Sequence, residues 1–512
     1  MSRALAPQLT FADLEFIRLG VFLDPVLQRI DSFLNENSAL VEQVRLDLER
    51  GLKKPGTGRN GMTPSQTLRS LILMRVKNWD YRDLRDRIHD GYTLRGFTQF
   101  NGHSVPKHDA FNRAFNKLTP ATLRAINQAV VQVAVQLGLE DGKKLRVDTT
   151  VVETNIRHPS DATLLWDSVR TISRLVAEDL QDKVPEGVKF TNRTRSARRR
   201  MQLIQRMTSQ QREQQQVPKY RELIQITGQV VQNARQVVEQ TKDTSGVDMV
   251  AGLVIDALRK EITTYCDLAD KVMDQTRRRV INGEKVPSEE KVYSIFEPHT
   301  DCIRRGKAQK PTEFGHKVFL AESAQGLITD YQVLKGNPAD SDHVEGSLER
   351  HQKTFQHAPE KYAGDRGFYS VANVQRCEEA KVAEVCIPQR GGQKTAEQEA
   401  LERSPAFKKG QRFRVGIEGR ISVLFRGRGM KRCRAKGSER FEMLVGAAVL
   451  ANNLMRIAQL TADEKPNRST SRRLDPPLAL PLWEKCLHSQ PLMQNLTSLY
   501  LIIVNFMARR HT

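Results

Sequence analysis

Apolar positions in the N-terminal part of the chain recur every three or four residues, the spacing of helices that bury one face. Leu68, Leu71, Ile72, Val76 and Trp79 form one such stripe after Thr63-Pro64-Ser65, where a threonine and an early proline suit a helix start. Tyr81–Phe100 continues with mixed charge and stops at Asn101-Gly102, and Val105-Pro106 opens a second stripe of Phe111, Ala114, Phe115 and Leu118. Two short helices across a tight connection can form a helix-turn-helix, with Lys107, His108 and Arg113 near the start of the second. A small helical bundle that reads no DNA groove accounts for the same pattern.

The period then changes. Leu145–Thr154 is rich in β-branched residues and follows Asp141-Gly142, which predicts a strand. From Ser160 to about Asp274 the helical spacing returns, with Leu223, Ile226, Val230, Ala234 and Val237 on one face. This stretch also carries the basic run Arg198, Arg199 and Arg200, either a solvated face or a set of phosphate contacts. Lys317–Ala321 and Leu327–Leu334 read as two strands joined by a short connection ending at Gly326. After them come a helix over Asp340–Phe355, a short strand ending in Asp365, a helix over Val371–Ala380, a strand over Val382–Pro388, and a helix from near Val415.

The predicted fold class is therefore α/β: a mixed sheet of about five strands with a large helical insertion between its first two, preceded by an all-α N-terminal domain. The expected boundaries are 1–140 for the helical domain, 141–160 with 291–460 for the sheet domain, 161–290 for the insertion, and 461–512 for a C-terminal extension.

Charge sharpens this picture. The chain has a formal net charge of +21, a field that suits a polyanion such as double-stranded DNA. Hydrophobic residues at 39% and charged residues at 28% fit a globular protein rather than a disordered or membrane-embedded one. The longest apolar run, Leu496–Met507, is too short and too interrupted to cross a bilayer, and the N-terminus has no apolar signal core, so no membrane partner is expected and the cytoplasm or bacterial nucleoid is the expected location. The six cysteines form no CxxC pair, which argues against a zinc ribbon and for a reducing compartment. No GxxxxGK[ST] loop is present, which disfavours an ATP-driven motor.

Three carboxylates stand out against this background. Cleavage of a phosphodiester needs charge neutralised on the attacking and leaving oxygens, and two divalent ions about 4 Å apart achieve this. Such ions take hard oxygen ligands, and sites in α/β sheets gather at strand ends. Asp148 lies in the first predicted strand, Asp365 ends a later one, and Glu418 lies in the helix after the last. Each has an ordinary alternative: an edge-strand aspartate, a turn aspartate before Arg366-Gly367, and a surface ion pair. The third alternative has force, because Phe407–Arg440 holds twelve Lys and Arg against two acids, Glu418 and Glu439.

The segments LRVDTTVVETNIRHPSDATLLWDSV, EFGHKVFLAESAQGLITDYQVLKGNPADSDHVEG, YAGDRGFYS and GIEGRISVLFRGRGMKRCRAKG resemble, in this order, bacterial insertion-sequence transposases of the ISNCY type. These belong to the DDE superfamily, with a ribonuclease-H-like catalytic core. The resemblance runs from about Thr63 to Leu460. It implies that Asp148, Asp365 and Glu418 are the catalytic and metal-binding acids, that Mg2+ (with Mn2+ as substitute) is the cofactor, and that the protein binds element ends and cuts and joins strands. It also implies a homodimer or higher assembly on DNA. In the wider superfamily the glutamate helix often carries Tyr-x2-Arg-x3-Glu-x6-Lys. Here Arg414 and Glu418 match, Gln411 stands at the tyrosine position, and Phe425 stands at the lysine position with Arg426 beside it. Arg414, Arg420 and Arg426 are thus candidates for DNA phosphate, with Arg198, Arg199, Arg200, Lys107 and Arg113 further out. A nuclease with the same core and a catalytically decayed transposase that only binds DNA are the rival readings.

Overall fold

A computed structural model describes residues 22–53, 61–180, 190–242, 248–304 and 311–463. The expected C-terminal extension lies outside them from residue 464 onward.

The first elements are helices: α1 (Pro25–Glu36), α2 (Ala39–Glu49), α3 (Pro64–Lys77), α4 (Tyr81–Asp90), α5 (Tyr92–Phe97), α6 (His108–Phe115) and α7 (Pro120–Gln136). Helix α3 begins where the sequence signals it: the Thr63 hydroxyl accepts from the Gln66 N–H, the Gln66 amide answers to the Thr63 N–H, and Pro64 fills a position that needs no donor. Helix α6 is one of the two short predicted helices, and its Phe111 and Phe115 rings pack edge-on with one another. Arg69 is buried among these helices and is held by the Asp31 carboxylate, Asn35 Oδ1 and the Phe97 carbonyl. The apolar cluster of this region also takes in Ala447, Leu450, Ala451 and Leu454 of the last described helix, so the N-terminal helices and the sheet region share a core.

The sheet follows the predicted order with two small additions. Its strands are β1 (Lys144–Thr154), β2 (Asp301–Arg304), β3 (Thr312–Ser323), β4 (Ile328–Val333), β5 (Lys361–Ala363), β6 (Glu384–Cys386) and β7 (Arg432–Cys433). The path runs β2-β3-β1-β5-β6, with β4 on the same edge of β3 as β2 and β7 meeting the far end of β1. β3 lies antiparallel to β1, while β5 and β7 lie parallel to it. Every residue of β1 after Lys144 is at least partly covered. Helices α12 (Val344–Phe355) and α13 (Val371–Glu379) pack one face of the sheet, around Leu145, Val147 and Phe319. Helices α15 (Pro405–Gly427) and α16 (Ser438–Asp463) pack the other, around Val152, Val318 and Leu320. Between α13 and α15 stands the short α14 (Ala396–Arg403). α16 is long and apolar enough to pass a length-and-composition test for a membrane span, yet most of its apolar window is buried inside the protein.

The predicted insertion is present as α8 (Asp161–Arg174), α9 (Thr194–Arg206), α10 (Ser209–Gln240) and α11 (Met249–Thr276), which enclose a core of their own. Its two ends meet at the sheet, where the Thr154 and Thr300 hydroxyls lie 2.9 Å apart. α15 starts at Pro405, ten residues before the expected start near Val415. Ser404 caps it by accepting from the Phe407 N–H, and the basic first turns tolerate helix because only one side of them is buried.

α12 carries a buried histidine. His351 packs on Phe355 with ring centroids 4.5 Å apart, and burial pulls its imidazole down to about 4. The unfolded chain then binds more protons than the folded one between about pH 6.5 and the folded value, so acidification through that window removes stability. We expect His351→Leu to flatten this acid-side loss, measured as the denaturant midpoint at pH 7 and pH 5. An equal slope in the variant would place the acid sensitivity elsewhere.

Candidate active site

β1 and β5 run parallel with Lys144 opposite Lys361, Leu145 opposite Tyr362 and Arg146 opposite Ala363. Two residues beyond the last of these pairs, Asp148 and Asp365 stand at matching positions. β5 has ended there, and β7 does not meet β1 until Glu153, so Asp148 lies on the stretch of β1 between the two. The ends of parallel strands that part in this way form the crevice in which α/β proteins place ligands. Asp365 caps the single turn Arg366–Phe368 by accepting from the Gly367 N–H at 2.7 Å.

α15 crosses this crevice at close range. A Cβ at Gly410 would lie 2.1 Å from Cys386 Sγ, and one at Gly416 would lie 2.0 Å from the Arg146 guanidinium, so only glycine lets the helix approach β6 and β1 this closely. Gln411 donates to the carbonyls of Gly364 and Cys386 and pins the helix to the ends of β5 and β6. The buried Glu322 carboxylate of β3 sets the other end: it accepts from Arg146 Nε on β1 and Arg420 Nε on α15, each at 2.8 Å.

These anchors bring Arg414 and Glu418, one turn apart on α15, over the two aspartates. Arg414 Nη1 donates to Glu418 Oε1 at 2.9 Å, Nη2 donates to Asp148 Oδ2 at 3.1 Å, and Nη2 lies 3.6 Å from Asp365 Oδ2. All three carboxylates singled out in the sequence therefore surround one guanidinium. Asp148 is buried, Asp365 is part-exposed, and Glu418 is 60% exposed, so the site opens toward the Glu418 side. The three acids are spread across the two ends of the guanidinium and, among the described residues, do not close on one point as a metal-ligand group. Their chemistry nevertheless suits a hard divalent cation: three carboxylates face one positive charge, Arg414, which bonds Asp148 and Glu418 and lies 3.6 Å from Asp365.

The outer basic residues divide in two. Arg426, Arg198, Arg199, Lys107 and Arg113 are exposed. Arg420 is turned inward onto Glu322 and Asn452, and Arg200 is paired with Glu222. The sequence reading missed Glu322, Arg146 and the anchoring role of Gln411. Their partners lie far away in sequence, and the one available signal was an acid inside the apolar strand that ends at Ser323.

A mixed α/β sheet with three acids and an arginine at the parting of two parallel strands defines a candidate for metal-assisted chemistry on phosphodiesters. Comparison with protein families agrees: residues 294–454 match the family described as Transposase DDE domain, and residues 22–117 match the Transposase domain (DUF772). The chain belongs to the DDE transposases of insertion sequences. Asp365 and Glu418 fall inside the first match, whereas Asp148 precedes it and is joined to them by the sheet register. Comparison with curated proteins and with solved structures gives no match.

Proposed function

We propose that this transposase, of the ISNCY type, binds the terminal inverted repeats of its element and catalyses strand cleavage followed by strand transfer. The convergence of Asp148, Asp365 and Glu418 on Arg414 carries this reading. The sheet supports a ribonuclease-H-like core: an antiparallel β1-β3-β4 group continues through parallel β5 and β6, and the glutamate arrives from a helix packed across the strand ends. Asp148, Asp365 and Glu418 are the residues that would hold Mg2+ or Mn2+. Such ions, when bound, neutralise charge on the attacking and leaving oxygens.

The remaining roles belong to the chain itself. Asp148, within β1, and Asp365, two residues past the end of β5, are held beside one another because β1 and β5 are hydrogen-bonded neighbours just upstream. Arg414 offers a planar donor set suited to phosphate at the cut, and exposed Arg426 extends the positive surface along α15. Lys107 and Arg113 on α6, with Arg198 and Arg199 on the insertion, supply backbone contacts along double-stranded DNA, so affinity falls steeply with salt. Arg420 is left out of this set because it is turned inward onto the buried Glu322, and Arg200 because the half-exposed Glu222 engages it; Arg414, although the three acids hold it, is kept because it stands at the site itself. Joining two ends calls for a homodimer or larger assembly on DNA, acting in the nucleoid.

The test is incubation of the protein with labelled DNA that carries the element's own terminal repeats, in Mg2+ or in chelator. Metal-dependent cutting at the repeat boundary and products joined to a second DNA are expected. Cutting without joined products would reassign the protein as a nuclease, and binding without cutting as an end-binding protein.

A further inference from the structure

Beside the two aspartates, on the face of the sheet away from Arg414, lies a fourth acid. Asp340 opens the single turn Asp340–His343. Its Oδ1 accepts from Thr149 Oγ1 at 2.8 Å and lies 2.7 Å from Lys317 Nζ. Thr149 directly follows Asp148 on β1, and its N–H bonds Asp148 Oδ1 at 2.7 Å. The other Asp340 oxygen faces the turn that holds Asp365: a Cβ at Gly367 would lie 2.7 Å from Asp340 Oδ2 and 3.0 Å from Asp365 Oδ1. A side chain at Gly367 would therefore crowd both carboxylates, which flank the same turn.

Two further features mark this arrangement as built. An acid sunk beside other carboxylates needs a cation with it, and Lys317 supplies one from a buried position, its ammonium also donating to the Pro338 carbonyl at 2.8 Å. Buried Asn373 ties the two turns together, donating from Nδ2 to the Ser341 carbonyl at 2.8 Å and to the Phe368 carbonyl at 2.9 Å.

We propose that Asp340, charge-balanced by Lys317, is a positioning residue that sets the spacing of Asp148 and Asp365 by bracing β1 through Thr149 against the turn after β5. The proposal rests on the reading of those aspartates as metal ligands. Groups that orient metal ligands typically contribute 10- to 100-fold to metal affinity.

The experiment is Mn2+ titration of the full-length protein by calorimetry, with end-DNA binding in chelator measured in parallel. Wild type, Asp340→Ala, Thr149→Val and Asp148→Asn are compared. Asp340→Ala is expected to weaken Mn2+ binding about 10- to 100-fold while DNA binding in chelator stays unchanged. Thr149→Val, which removes only the hydroxyl of the brace, shifts Mn2+ affinity the same way by less, and it decides the matter if Asp340→Ala does not fold. Wild-type Mn2+ affinity in both Asp340→Ala and Thr149→Val, with Asp148→Asn weakened, would overturn the brace alone. A parallel loss of DNA binding in chelator would also overturn it, by making Asp340 a residue of general stability. Mn2+ binding indifferent to Asp148→Asn would remove the metal-ligand reading and the brace with it.

Discussion

Asp148→Asn is expected to abolish cleavage at the element ends while leaving end binding intact. The substitution keeps shape and a hydrogen-bonding oxygen but removes one charge from the most buried of the three acids. If the site neutralises charge in the transition state by several kcal/mol, the loss is on the order of a thousandfold or more in rate. The fold should tolerate the change, since Arg414 retains Glu418 and Asp365. The proposed DNA contacts are exposed cations elsewhere, so gel-shift titration of the variant should match wild type. Single-turnover cleavage of labelled ends in Mg2+ is the measurement. A variant that still nicks at the wild-type rate would dismiss Asp148 from the site.

The second large effect concerns stability. Glu322→Ala is expected to cost about 3–5 kcal/mol, the range for removing one member of a buried charge group. The Glu322 carboxylate is fully buried between Arg146 and Arg420, and both guanidinia are largely covered. Arg146 also stacks on the Phe413 ring at 4.9 Å and donates to the Phe413 carbonyl, while Arg420 reaches Asn452 on α16. One acid thus joins β3, β1, α15 and α16, and its loss strands two buried cations at once. Chemical denaturation reads this directly. Glu322→Gln, which keeps two acceptor or donor positions and the volume, should lose less. A drop below about 1 kcal/mol for the alanine variant would mean that both guanidinia find water without reorganising α15.

The contrast between Asp148 and Glu322 shows where sequence reading reaches. Asp148 announces itself as a charge inside a β-branched run, and β3 and β4 announce themselves as two apolar runs about a short connection ending at Gly326. Ser404-Pro405 carried a helix-start signal, but the lysines and arginines after it masked the apolar spacing until Val415. β2 and β7 escaped notice because strands of four and two residues exist only through their partners on β3 and β1. The division among the arginines was equally hidden. Arg420 and Arg426 stand in one basic run, and only the fold reveals that one faces Glu322 and the other solvent. Glycine inside a helix ordinarily weakens it, whereas Gly410 and Gly416 let this helix descend onto β6 and β1.

The meeting of Thr154 with Thr300 has an architectural consequence. Because the helices between them leave and rejoin the sheet at one spot, the whole segment is topologically an enlarged loop with its own interior. Its length and sequence can change by large steps without shifting the register between β1 and β3. The site, built on those strands and on α15, is thereby insulated from changes in that segment. Such a plan lets this one unit be remodelled while the carboxylate site stays as it was.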